Sequence, residues 1–129
     1  MIGLDTNVLI RWITRDHPKT YRKVEQFLKD HQSEGFFLSV VVVLEVWWVL
    51  KKVYQYPEGR IIDVLINLCQ AGDLHIEKHA EIQKSLEEYQ SSSADFEDIL
   101  ISNVHLGEGC DYTVTLDKKA GRHKGMNLI

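Results

Sequence analysis

The chain has 129 residues, 44% of them hydrophobic and 26% charged, the balance of an ordinary globular protein of single-domain size. Its two cysteines, Cys69 and Cys110, form no C-x-x-C pair, which argues against a disulfide framework or a thiolate zinc site and suits a reducing cytoplasm. A net charge of −4 gives the whole molecule no footprint of a non-specific nucleic-acid binder, an objection that weakens if acids converge on a bound cation and reverse the local field.

From the N-terminus, MIGLDTNVLI has no basic region before its apolar stretch, so no signal peptide is expected. Met1 to Asp5 reads as a short strand and Asn7 to Ile13 as a helical segment opening directly from it. Pro18 suits a first helical position, and Tyr21, Val24, Phe27 and Leu28 continue at helical spacing to about His31. Phe36 to Leu38 makes a second strand. Ser39 is then placed to cap a helix from Val40 to about Tyr54, stopped by Pro57. The valines alone suit a strand equally well, and it is the length of the segment that favours helix. The run from Phe36 to Leu50 is interrupted by Ser39 and Glu45 and is shorter than the roughly 20 residues that cross a bilayer, so it reads as core.

Gly59 to Gln70 forms another apolar-faced helix, Leu74 to Glu77 a short alternating segment, and Ile82, Leu86 and Tyr89 mark a further helix broken at Ser91, Ser92 and Ser93. A helix runs from Asp95 through Val104 toward Gly107 and Gly109. Tyr112 to Leu116 is a β-branched strand, and Met126 to Ile129 a last edge strand. Strands alternating with helices imply an α/β sandwich with a mostly parallel sheet covered on both faces. No linker, repeat or low-complexity stretch divides the chain, and a single domain over 1–129 is expected.

In such sheets function gathers beyond the carboxyl ends of the strands, where Asp5 and Asp117 both fall. Each alone could be a turn former or helix cap. Glu45 stands among apolar residues on every side of its helix, so it is expected to be buried and to need a partner. Asp95 is placed to cap the helix that follows, while Asp98 adjoins the apolar Ile99, Leu100 and Ile101. Clustered carboxylates suit hard, oxygen-seeking cations. The histidines His17, His31, His75, His79, His105 and His123 show no metal-ligand spacing and read as surface residues. Phosphate-cradling glycine motifs and nucleophile elbows are missing.

With MIGLDTNVLIR at the start, a glutamate inside VVVVLEVWWVLKK, then ADFEDILIS, then TVTLDKKAGR, the chain resembles the PIN-domain ribonucleases, and among them the VapC-type toxins of toxin–antitoxin pairs. The resemblance runs over the whole chain and implies a PIN-like three-layer α/β/α sandwich. It places the acidic quartet on Asp5, Glu45, Asp98 and Asp117, with Asp95 as an additional acid and Thr6, Asn7 and Thr115 as polar support. Leu116 departs from the aromatic residue that relatives often carry before the last aspartate.

The activity so implied is Mg²⁺- or Mn²⁺-dependent endoribonuclease chemistry. Asp5, Asp98 and Asp117 hold the metal and Glu45 completes the site or orients water. Arg11, Arg15, Lys118, Lys119, Arg122 and Lys124 flank the acids in sequence and are candidates to grip RNA phosphates. A homodimer, neutralised by a small antitoxin seated in an apolar groove, is expected in the cytoplasm, away from any membrane. Trp47 and Trp48 are adjacent on one helix and cannot face the same way, so one of them is expected at an interface. Rival readings are a PIN-fold nuclease acting in RNA processing or on structured DNA, for the last of which the chain is short, and an RNA- or protein-binding PIN module without catalysis.

Overall fold

Strands joined through helices return in the same direction, and every strand pair in this protein is parallel. The computed structural model describes residues 1–129, which form two units, Met1–Glu77 and Lys78–Ile129.

In the first unit, β1 (Ile2–Gly3) leads through α1 (Thr6–Thr14), α2 (Pro18–Asp30) and a 3₁₀ turn (Gln32–Glu34) to β2 (Phe36–Leu38). Then α3 (Val40–Lys52) and α4 (Glu58–Gln70) carry the chain to β3 (Leu74–Ile76). The sheet order is β1-β2-β3, with Ile2 opposite Phe36 and Leu38 opposite Ile76. β2 is central, and its Phe36 and Leu38 are enclosed together with Leu9, Val46, Trp47, Leu50, Ile61 and Leu65. Each such side chain stabilises the unit by roughly 1.5–3 kcal/mol over its exposed state.

β1 is shorter than the expected Met1 to Asp5. The Leu4 N–H still donates to the Phe37 carbonyl at 3.0 Å, but Asp5 has already turned to cap α1. Its Oδ1 accepts from the Val8 N–H at 3.1 Å. Ser39 caps α3 as expected, accepting from the Val42 N–H at 3.2 Å. A second free amide of that turn, Val40 N–H, donates to Glu77 Oε1 at 2.9 Å. At its other end α3 carries Lys51 and Lys52, the favourable charge for a helix C-terminus.

The second unit begins with α5 (His79–Tyr89) and α6 (Phe96–Gly107), separated by the three serines. They bury Ile82, Leu86, Phe96, Ile99 and Leu100. A buried polar contact joins them, with Asn103 Nδ2 donating to Ser85 Oγ at 2.9 Å and to Glu88 Oε1 at 3.0 Å. β4 (Thr113–Thr115) pairs in parallel with β5 (Met126–Leu128), and a 3₁₀ turn (Ala120–Arg122) lies between them. Gly125 enters β5 at φ +95°, and a Cβ there would stand 2.7 Å from Ser102 Oγ, so both backbone conformation and space require glycine. No helix of the protein is long and apolar enough to cross a membrane.

Candidate active site

The first unit contributes two of the four expected acids. Asp5, exposed, uses Oδ1 as the cap of α1, so the ordinary reading of an aspartate after a strand is realised, and its other oxygen takes no part in the cap. One residue on, Thr6 Oγ1 donates to Glu45 Oε2 at 2.9 Å, joining the first turn of α1 to the middle of α3. Asn7 is exposed on α1.

Glu45 corrects the expectation of burial, for it is exposed. Val43, Val46, Trp47 and Leu50 form the enclosed face of α3, whereas Val41, Glu45 and Trp48 share the opposite, exposed side. Valines on the wet side gave the helix an apolar circumference without a buried one. The partner that an enclosed carboxylate would require is still there, in the Thr6 hydroxyl.

The second unit brings together Asp95, Asp98 and Asp117. Asp98, half-buried in the first turn of α6, has its carboxyl pushed above the ordinary carboxylate range by burial first, then by the charges of Asp95 and Asp117. Lys119 opposes that shift. Asp95 occupies the N-cap position of α6 but makes no side-chain cap, which corrects the expected capping role. Its Oδ1 instead accepts from Lys119 Nζ at 3.0 Å, an ion pair that draws the carboxylate off its own backbone.

Asp117 lies two residues beyond β4, in a turn that fixes it from several sides. Its N–H donates to Thr115 Oγ1 at 3.0 Å, and its Oδ1 accepts from the amides of Lys119 at 2.8 Å and Ala120 at 3.1 Å. As with Asp5, one oxygen organises the chain and the other takes no part in these bonds. Asp5 follows β1, which pairs with β2, and Asp117 follows β4, which pairs with β5.

These donors are all carboxylate oxygens, which fits a hard divalent cation by type. No three histidine, cysteine or acidic side chains are grouped so as to hold a metal ion as they stand.

The expected RNA-gripping bases divide by their internal contacts. Arg11 donates to the Tyr54 hydroxyl at 2.9 Å and reaches Asp16 at 3.5 Å. Asp16 also accepts from Thr14 and Tyr54, bonds that hold its carboxyl below the ordinary range, so Arg11 belongs to a structural cluster. Arg15 lies over the Tyr21 ring, 4.9 Å from its centre, and Lys119 is paired with Asp95. Lys118, Arg122 and Lys124 are exposed.

Among the histidines, His123 corrects the surface assignment, being 8% exposed, with Nδ1 3.2 Å from Ser92 Oγ and Nε2 3.5 Å from Glu88 Oε2. Its position in a lysine- and glycine-rich tail gave no periodic signal of burial. Glu77, Ser92 and Glu88 likewise take partners distant in sequence, Val40, His123 and Asn103, which no local pattern reveals. Of the tryptophans, Trp47 is core, Trp48 is 54% exposed, and Trp12 lines a cleft of about 280 Å³ with Leu4, Leu9, Leu28, Phe36 and Leu74.

Parallel strands joined by helices, with carboxylates just past strand ends and at helix starts, define an α/β protein whose acids lie where such folds gather function. The PIN domain family model matches residues 2–125, and the chain belongs to that family. Its fold is therefore the PIN-like α/β/α class, a nuclease fold in general, whose members commonly use divalent metals. The search of curated proteins gives no match.

Proposed function

We propose that the protein is a Mg²⁺- or Mn²⁺-dependent endoribonuclease and the toxin of a toxin–antitoxin pair. The observation that supports the nuclease reading most is the setting of Asp98, where burial and two neighbouring carboxylates oppose its ionisation. Concentrated negative charge of this kind favours a cation, and oxygen-only donors favour a hard one. In this reading Asp5, Asp98 and Asp117 are the metal ligands and Glu45 completes the site or orients water. A bound divalent ion would activate water and stabilise charge building on the phosphate.

The chain's own contribution is positioning. Thr6 fixes Glu45 through its hydroxyl. Thr115 and the turn amides fix Asp117. Val8 N–H fixes Asp5. Such groups hold a carboxylate in one orientation and so reduce the reorganisation that ligation requires.

The toxin reading draws support from apolar surface. The Trp12-lined cleft suits an apolar antitoxin segment, and an Arg or Lys of that partner would satisfy carboxylates in place of metal. Exposed Val114, Leu116, Leu128 and Ile129 offer surface to a second copy in a homodimer. A cytoplasmic setting accords with Cys69 and Cys110 forming no disulfide.

The rival reading is a non-catalytic binding module of the same fold. Titration with Mn²⁺ separates the two. The nuclease reading requires a rise in melting temperature and metal-dependent cleavage of RNA, and neither effect would leave the binding module. Expression alone should arrest growth and co-expression of the neighbouring small gene should restore it. Harmless expression with no co-purifying partner removes the toxin role and leaves the nuclease.

A further inference from the structure

A second cluster of polar side chains lies in the Lys78–Ile129 unit, apart from the four acids. Ser91, Ser92, Ser93, Arg122, His123, Lys124 and Glu88 line a cleft of about 300 Å³. Its walls are the serine turn after α5 and the segment that follows the Asp117 turn. Two contacts hold these segments side by side: Asp95 with Lys119 at 3.0 Å, and Ser92 with His123 at 3.2 Å. The segments that carry Asp95 and Asp117 are therefore the same two that build the cleft.

The charges in it are unequal in their freedom. Glu88 is engaged from within, Oε1 accepting from Asn103 and Oε2 lying 3.5 Å from the buried His123. Arg122 and Lys124 are exposed and take part in none of the unit's ion pairs. Ser91 and Ser93 add exposed hydroxyls, and Ser92 Oγ is held by the Ala94 N–H at 3.1 Å. Two unpaired cations, one of them a guanidinium fork, beside several hydroxyls are the donors that a tetrahedral oxyanion needs.

We propose that this cleft binds a backbone phosphate of single-stranded RNA, a phosphodiester flanking the one to be cut. The proposal rests on the nuclease reading for its choice of ligand. The serine turn supplies neutral donors and a wall, Arg122 and Lys124 supply charge, and the shared segments set the register between a bound phosphate and the acids. It gives an acidic protein a local means of holding a polyanion.

The test is binding of a short single-stranded RNA in EDTA, followed by fluorescence anisotropy over a range of salt concentrations. Arg122→Gln/Lys124→Gln is compared with Arg22→Gln/Lys23→Gln, an equal change of charge at exposed positions on α2. The cleft variant should bind on the order of tenfold more weakly, and its plot of log affinity against log salt should flatten by roughly one unit. Ser93→Asp should weaken binding in the same direction. Equal losses in both double variants would mean diffuse electrostatics and overturn the subsite, as would undetectable binding by the wild type. Binding that depends on Arg122 and Lys124 in a protein that cuts no RNA with Mn²⁺ would keep the subsite and remove the nuclease reading.

Discussion

Glu45 in α3 and Asp98 in α6 stand in similar sequence surroundings, each an acid beside aliphatic residues, yet their environments differ. Glu45 is exposed and bonded to a threonine hydroxyl. Asp98 is half-buried near two other carboxylates, with Lys119 as the opposing charge. Apolar neighbours in a helical sequence therefore do not specify burial; the face presented to the rest of the unit does. The electrostatic tension of the metal-free protein is at Asp98, a residue whose local sequence signal was the weaker of the two.

The sharpest way to break this comparison is through the faces of α3. Trp47→Ala should cost about 3–5 kcal/mol, read by urea denaturation, because an enclosed indole leaves a cavity. Trp48→Ala should change stability by under about 0.5 kcal/mol. Similar losses for both would mean that α3 has no distinct exposed side on which to hold Glu45.

Next in size is catalysis. Asp98→Asn should reduce Mn²⁺-dependent RNA cleavage by at least about a hundredfold while the far-ultraviolet circular dichroism stays unchanged, since it removes a proposed ligand. A variant that cleaves at the wild-type rate would remove Asp98 from the site. Thr6→Val, which keeps the side-chain shape and deletes the hydroxyl bonded to Glu45, should lower the rate by about tenfold. Restoration by Thr6→Ser would assign the loss to the hydrogen bond rather than to packing.

The smallest effect concerns the metal-free protein. A carboxyl whose folded pKa is raised penalises the folded state fully above that pKa, and the penalty disappears as pH falls toward the ordinary value of 3.8. Asp98→Asn should therefore melt slightly higher than wild type in EDTA at neutral pH, and the gap should close on acidification. Asp16 and Glu108, whose carboxyls lie below their ordinary values, destabilise both proteins on acidification and cancel in the difference. A gap that widens as pH falls would contradict the crowding of carboxylates around Asp98.

Much of the fold was legible because its signals are local. Pro18, the Ser39 cap and the β-branched Thr113–Thr115 each act within one turn or strand, and each lies where the pattern placed it. What the pattern could not reach depends on distant partners. Asp95 takes Lys119 in preference to the amides of its own helix, and His123 is buried because the serine turn folds beside it. Strand pairing also escaped local reading, since nothing near Asp5 or Asp117 states which strand lies beside its own.

Glu77 gives the corner between β2 and α3 a property that a side-chain cap alone does not. Its carboxylate takes the Val40 amide and its own N–H donates to the Leu38 carbonyl at 2.9 Å, so one residue grips the chain on both sides of Ser39. First-turn amides of a helix ordinarily exchange with solvent through fraying. Here the Val40 and Val42 amides are both tied down, and their hydrogen exchange should require opening of the corner together with the end of β3 rather than of the helix turn alone. The strand-to-helix step that opens the helix of Glu45 is thus a clasp, closed by a residue 37 positions beyond Val40 in the chain.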